Sequence, residues 1–208
     1  MITPAFIFTI FMLTLGPIRT VPAFFAITQD QAPKVARALA IKGTMVATGV
    51  SLLIAMVIAG IAASWRISLD DVRIAGGILL FAASRETIGQ LNRPAPPSPP
   101  PAAAPSNHPA VTPLAIPIIV TPWGVAAILV FIELADGDSK MSAIVIGILL
   151  LVMLLNLVGM LLARRIITLV GLITFQVVGW IFAVLQTGFA VDAVVTSLRN
   201  LALFHQNL

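Results

Sequence analysis

The sequence predicts an all-α membrane protein with six transmembrane helices arranged as two inverted three-helix repeats, in which helices 1 and 4 are broken. Composition gives the class, because 59% of the 208 residues are hydrophobic and only 10% are charged, whereas soluble domains carry about 25% charged residues. The lengths of the apolar segments predict the positions of the membrane spans. Two proline pairs of equal spacing, Pro17/Pro22 and Pro117/Pro122, indicate the repeat. With so few charged side chains, lipid must cover much of the surface.

The net charge of +4 does not indicate a nucleic-acid-binding surface. Basic residues flank the hydrophobic segments, as the positive-inside bias requires, and no cluster of lysine and arginine is interleaved with aromatic residues. The absence of cysteine excludes disulfides, thiolate metal sites and cysteine nucleophiles. The first eleven residues lack the basic segment of a cleavable signal, so we expect them to begin the first span.

A bilayer core requires about 20 apolar residues per helix, and six segments meet that length. We place them at residues 5–28, 42–64, 72–91, 113–134, 141–163 and 167–190. The proline-rich segment between the third and fourth cannot continue a helix and is predicted to be an extended linker, with recognition by an aromatic groove as the alternative. The chain then divides into a first three-helix repeat at 1–91, a Pro/Ala-rich linker at 92–112, and a second repeat with a short tail at 113–208.

The two proline pairs predict interrupted helices in corresponding places of the two halves. Two prolines five residues apart kink or unwind a helix, since each removes a backbone donor and clashes with the preceding turn. In a bilayer, freed backbone groups are tolerated only where protein or water satisfies them. Because each half has an odd number of spans, the repeat is predicted to be inverted, as in several secondary transporters with a site at the breaks. Chance similarity between apolar sequences is the alternative.

The distribution of basic residues predicts the orientation. One side of the predicted bundle carries Lys34, Arg37, Lys42, Arg85, Arg93, Arg164 and Arg165. The other side carries only Arg66, Arg73, Lys140 and Arg199. This bias predicts cytoplasmic loops at 29–41, 92–112 and 164–166, with both termini on the outer side.

Three stretches of the sequence resemble the MarC family of membrane proteins, namely 16–22, 72–80 and 113–122. The resemblance covers nearly the whole chain apart from the linker and the tail. It implies a six-span, multi-pass protein of the bacterial cytoplasmic (inner) membrane, with termini in the periplasm when combined with the charge bias. Because one branch of the family transports small neutral amino acids, it also implies a secondary transporter or exporter of small polar solutes such as neutral amino acids.

The chain differs from the family pattern at both breaks. The first break in the family usually reads Asn-Pro-x-Gly-Asn-x-Pro, whereas Gly16, Arg19 and Thr20 stand at its first Asn, Gly and second Asn. The second usually reads Gly-Pro-Gly, whereas Trp123 follows the proline here. Both carboxamides are replaced and a cation is added. These differences motivate an alternative function, a non-transporting structural or accessory subunit of a larger membrane protein complex.

The residues at the breaks are the candidate substrate-binding residues: Gly16, Pro17, Arg19, Thr20, Pro22, Pro117, Thr121, Pro122 and Trp123. An arginine within a span is costly unless it is paired or hydrated, and its guanidinium matches a carboxylate. The alternatives for Arg19 are unwound carbonyls as partners, or a shallow position at the interface. Thr20, Thr121 and the amides at half-helix N-termini can bind a carboxylate, and Trp123 can cap or fill such a cavity.

The remaining polar residues within the spans are predicted to hold helices together; they are Asn156, Gln176 and Gln186. Glu133, at the end of the fourth span, can be solvated at the interface; a role in proton coupling is the alternative. No enzyme is predicted, because His108 and His205 lie in the linker and the tail and no catalytic motif occurs. We expect no cofactor and no metal. The expected partners are the lipid bilayer, a small polar solute, and other membrane proteins or a second copy, but no nucleic acid.

Overall fold

A computed structural model of the chain describes residues 3–65, 68–91, 110–135 and 138–205, and every element in these ranges is helical. The elements are α1 (Pro4–Thr14), α2 (Pro17–Thr28), α3 (Pro33–Trp65), α4 (Leu69–Leu91), a π-helix (Ala110–Ile119), α5 (Pro122–Leu134), α6 (Ser139–Leu161), α7 (Ala163–Val170) and α8 (Leu172–His205). The all-α prediction is confirmed. Most of the predicted linker lies outside the described residues, and its last three residues, 110–112, belong to the π-helix.

Four stretches of the described chain are helical, long and apolar enough to cross a bilayer: Pro4–Thr28, Pro33–Val57, Ser139–Leu161 and Gln176–Ala202. A further apolar helix, Pro122–Glu133, is shorter. Large apolar side chains point outward from these helices; Met56, Leu154 and Val184 are 75%, 55% and 65% exposed. Such a surface suits lipid rather than water. The predicted spans at 72–91 and 113–134 do not meet the same standard, so six spans remain a prediction.

The predicted sixth span begins too early and ends too early. Residues 163–170 form the separate helix α7, whose Arg164, Arg165 and Thr168 share one face. Gly171 ends that helix with φ 80°, a conformation that favours glycine. Helix α8 then runs from Leu172 to His205. Residues 164–166, predicted to be a cytoplasmic loop, are therefore helical, and the predicted tail continues the last helix as far as the description extends, to His205.

The predicted loop at 29–41 is also shorter than expected. Helix α3 begins at Pro33, because proline fits the first position of a helix, where its missing N–H costs nothing. Lys34 and Arg37 therefore lie on the first two turns of a helix rather than in a loop.

Both spans that contain a proline pair are interrupted. Gly16 is extended (φ −82°, ψ 174°) and Pro17 begins α2, while Thr121 is extended (φ −92°, ψ 157°) and Pro122 begins α5. Proline displaces the preceding residue from the helical region and is itself suited to the first helical position. The two breaks thus have the same local cause.

The other proline of each pair does not break a helix. Pro22 lies inside α2 and Pro117 lies inside the π-helix. At the end of that π-helix, the amide of Val120 donates to the carbonyl of Ala115 at 2.9 Å, the wider i→i+5 bond that carries the backbone past Pro117. One break precedes Pro17, the first proline of its pair, whereas the other precedes Pro122, the second proline of its pair. Equal proline spacing therefore does not mark equivalent break positions.

Helix α1 packs against its neighbours through aromatic side chains. Phe6 contacts Phe131 of α5 and Phe189 of α8 at ring-centroid distances of 6.0 and 5.0 Å, and Phe11 contacts Phe131 at 5.3 Å. All three pairs are edge-to-face, which the ring quadrupole favours. Phe11 is fully buried. Helices α5 and α8 therefore flank α1 and fix its position.

Helix α4 packs along α8 through small residues and amide hydrogen bonds. A Cβ at Gly77 would lie 2.8 Å from the carbonyl oxygen of Ala190, so the absence of a side chain allows the close approach. Gln186 Nε2 donates to the carbonyl of Leu80 at 3.1 Å, and Asn200 Nδ2 donates to Asp70 Oδ1 at 3.1 Å. The prediction that Gln186 holds helices together is confirmed.

Arg164 of α7 caps the end of α2. Its Nη2 donates to the carbonyl oxygens of Thr28, Gln29 and Gln31 at 3.1, 3.0 and 2.8 Å. The Thr28 carbonyl also accepts from the amide of Gln31 at 3.1 Å, and a cation interacts favourably with the negative end of the helix dipole. This contact connects the turn after α2 to the connection between α6 and α8.

We expect Arg164→Ala to loosen this turn, because three carbonyls lose a charged donor. A loss of about 1 kcal/mol corresponds to about fivefold faster hydrogen exchange of the amides in residues 28–36, measured by mass spectrometry in detergent. Arg165→Ala, at the exposed neighbouring position, is the control and is expected to leave this exchange unchanged. Equal rates in the two variants would contradict the capping function.

Candidate substrate site at the helix breaks

The two helix breaks contact each other inside the protein. Thr121 Oγ1 donates to the carbonyl oxygen of Thr14 at 3.1 Å and accepts from the amide of Gly124 at 3.0 Å. Thr14 and Thr121 are both buried. A Cβ at Gly124 would lie 2.1 Å from Leu15 Cδ2, so glycine allows the Leu15 side chain to pack directly against this backbone. One hydroxyl therefore caps α5 and also satisfies a carbonyl at the end of α1.

The first break depends on glycine at position 16. A Cβ there would lie 2.1 Å from the carbonyl oxygen of Met12, which is backbone and cannot move aside without distorting α1. The amide of Leu15 makes the last bond of α1, to Phe11 at 2.8 Å. Gly16 then turns the chain into α2 without a side-chain cap.

Asn156 of α6 bridges the two sides of this break. Its Nδ2 donates to the carbonyl oxygen of Leu15 at 2.6 Å, and its Oδ1 accepts from Thr20 Oγ1 at 2.6 Å. Asn156 and Thr20 are both buried. The prediction that Asn156 holds helices together is confirmed. Thr20 therefore faces α6 rather than an open cavity.

Arg19 faces a different neighbour. Its half-buried side chain lines a small cavity of about 20 Å³ among α1, α2 and α8, room for about one water molecule. The other lining residues are Leu13, Ile18, Gly179, Phe182, Ala183 and Gln186. The walls are therefore mainly apolar, with one guanidinium and one carboxamide. Such a space admits a single polar group of a ligand, and a whole solute would fit only if α2 and α8 moved apart.

The predicted site residues fall into two groups. Thr121 belongs to the contact between the breaks, whereas Gly16, Pro17 and Thr20 belong to the first break, which Asn156 of α6 bridges. Arg19 belongs to the cavity beside α8, which no described residue of the second break lines. Of the others, Pro22 and Trp123 are partly buried and Pro122 is exposed, while the backbone of Pro117 lies in the π-helix and its side chain is outside the description. Within the described ranges, no three His, Cys, Asp or Glu side chains are grouped to hold a metal ion.

Asn156 and Gln186 are the residues at the site whose position the sequence did not indicate. Both were visible as lone carboxamides within apolar segments, which is the signal of a functional or packing contact in a membrane. Their partners lie more than 100 residues away along the chain. Only the packing of α6 and α8 shows which helix each one faces.

The model of one protein family, described as MarC family integral membrane protein, matches residues 3–202. The chain belongs to the MarC family. A MarC match of this extent includes both breaks, α7 and most of α8, and makes the chain an integral membrane protein. It is also similar to UPF0056 membrane protein MJ1677 of Methanocaldococcus jannaschii, with 28% identity over 189 residues that cover 89% of this chain and 91% of that protein. No solved structure matches this MarC protein.

Proposed function

We propose that this MarC family protein is a secondary transporter or exporter of small polar solutes such as neutral amino acids, with its site at the broken helices. The observation that carries the proposal is the hydrogen bond from Thr121 Oγ1 to the carbonyl of Thr14, which joins two interrupted helices in the protein interior. Irregular backbone inside a membrane protein is tolerated where it is buried in protein or lines a cavity. Adjacent broken helices are typical of secondary transporter sites.

The proposal includes six spans in two inverted repeats, with both termini in the periplasm and the chain in the bacterial inner membrane. In this scheme α1–α2, α3 and α4 form the first repeat, and the π-helix with α5, α6 and α8 forms the second. The contacts of Arg164 with Thr28 and Gln31 support one shared end for Lys34, Arg37 and Arg165. That end is cytoplasmic under the positive-inside bias.

Arg19 is the residue that we assign to the solute. Its guanidinium can bind a carboxylate through two parallel hydrogen bonds, while Phe182 and Leu13 offer apolar surface to a small side chain. Because the cavity holds only about one water molecule, uptake requires α2 to move relative to α8. The non-helical backbone at Leu15 and Gly16 is the natural hinge for that movement.

We expect Arg19→Gln to slow the uptake of a neutral amino acid such as alanine by about tenfold, the effect of losing one charge-assisted hydrogen bond. Initial rates would be measured in reconstituted vesicles with an imposed cation gradient. Arg199→Gln is the matched control, since Arg199 is exposed near the end of α8, and it should transport at the parental rate. Parental uptake by both variants would remove Arg19 from the site.

A second function, a structural or accessory subunit without transport, is favoured by one observation. Protein groups already fill the space between the breaks, where Leu15 lies against Gly124 and Thr20 is bonded to Asn156. This function predicts no uptake by the parental protein in vesicles. It also predicts partner proteins at fixed stoichiometry after gentle detergent extraction, measured by native mass spectrometry. Extraction of the chain without partners, together with measurable uptake, would exclude it.

A further inference from the structure

We propose that one end of this protein binds the headgroups of anionic phospholipids through a basic surface, independently of any transport. This surface, the basic collar, consists of Lys34, Arg37, Lys42, Arg164 and Arg165, all of them exposed. They come from two segments, 28–42 and 163–170, in which Asp30 is the one acidic residue. The collar therefore carries a clear excess of positive charge.

The two segments of the collar are held together by direct contacts. Arg164 Nη2 donates to the carbonyls of Thr28, Gln29 and Gln31, immediately before α3 begins at Pro33. Arg165 follows Arg164 on α7, and Lys34 and Arg37 follow Pro33 on α3. Cations separated by about 130 residues in the chain thus share one end of the bundle.

The exposed face of α3 indicates the depth of the collar in the membrane. Moving along the helix, the exposed cations Lys34, Arg37 and Lys42 are followed by exposed apolar side chains at Met45 and Leu53, which are 69% and 60% exposed. Lys34 and Met45 are about 16 Å apart along the axis at 1.5 Å per residue. A change from basic to apolar over this distance matches the boundary between headgroups and acyl chains.

Helix α7 has the composition of a helix that lies in the membrane interface. Leu169, one turn after Arg165, is 88% exposed, which is unfavourable in water but favourable where the side chain enters the acyl region. Arg165 would then remain among the headgroups. A free phosphate ion would make no apolar contact with Leu169. An anionic phospholipid has both a negative headgroup for the cations and acyl chains for Leu169. The collar is therefore assigned to anionic phospholipid.

The test compares phosphatidylglycerol with phosphatidylcholine. The full chain is purified in detergent micelles that contain one or the other lipid, and bound lipid is measured by native mass spectrometry. We expect the parental protein to retain phosphatidylglycerol preferentially. Arg37→Gln combined with Arg165→Gln should lower that affinity by about tenfold, the effect of two interfacial charges partly screened by salt. Arg164 is left intact because it caps α2.

Lys140→Gln combined with Arg199→Gln removes the same charge from exposed positions outside the collar and should retain the lipid as the parent does. The Tm in phosphatidylcholine micelles reports folding, and if the double variant has a lower Tm, each single variant is measured and should bind about threefold more weakly. Equal retention of the two lipids by the parent, or equal losses in both double variants, would overturn the proposal. Displacement of phosphatidylglycerol by millimolar inorganic phosphate would also overturn it, since the collar would then be a phosphate site.

Discussion

Gly16→Ala is expected to destabilise the fold by about 3 kcal/mol, the largest effect of any single methyl group that we foresee. The new Cβ would lie 2.1 Å from the carbonyl oxygen of Met12 and 2.7 Å from its Cα. Both are backbone atoms of α1, so no side-chain rotation relieves the contact. Relief would require α1 to shift away from Phe131 and Phe189, its aromatic neighbours. The free energy of unfolding in detergent micelles is the measurement.

Gly147→Ala is the control, because nothing lies within 4 Å of the Cβ that it would add to α6. Alanine is favoured over glycine inside a helix by up to about 1 kcal/mol, so this variant should be as stable as the parent or more stable. If Gly16→Ala and Gly147→Ala unfolded at the same denaturant concentration, the break would not lie at Gly16.

Asn156→Leu is expected to lower the free energy of unfolding by about 3 kcal/mol, although leucine is close to asparagine in size. Two interhelical hydrogen bonds are lost, to Leu15 and from Thr20, each contributing about 1 kcal/mol in a membrane protein. The carbonyl of Leu15 is then buried without a donor, which adds about 1 kcal/mol more. This carbonyl lies at the break, where no following turn of helix can supply an amide.

Asn200→Leu is the matched control, since Asn200 is partly buried near the end of α8 and bonds one side chain, Asp70. We expect it to cost about 0.5 kcal/mol. A double-mutant cycle with Thr20→Val isolates the bond between Thr20 and Asn156. Thr20→Val should cost about 1 kcal/mol less in the Asn156→Leu background than in the parent. Additive effects, or equal costs for the two asparagine variants, would contradict the bridge across the break.

The sequence indicated which two spans are interrupted, but not which residue of each span lies at the break. Four prolines pointed to two broken spans, and both spans are interrupted. Local backbone preferences allow a break before each of the four prolines, because proline disfavours helical backbone at the preceding residue. The choice of Gly16 and Thr121 depends on the neighbours that complete each break, namely Asn156 for the first and Thr14 for the second.

The same distinction applies to the candidate site. Arg19 was recognisable because a cation inside an apolar span is costly, and Thr20 because it follows the break. Although Arg19 and Thr20 are adjacent, the sequence could not show that their side chains face different helices. Thr20 faces α6 and Arg19 faces α8, because successive residues on a helix point about 100° apart and the neighbours on each side come from the other half of the chain.

By itself, the sequence determined that this protein is an all-helical membrane protein, because composition and hydrophobic length are local properties on which insertion into a bilayer depends. Its membership of the MarC family rests on the sequence match over residues 3–202. The sequence also indicated that prolines interrupt two of its spans. Only the tertiary structure decided that the breaks meet through Thr121 and Thr14, that Asn156 closes the first of them, and that Arg164 joins α2 to α7. Those contacts connect residues more than 100 positions apart, and no local rule relates them. They depend on which helix faces which in the packed bundle.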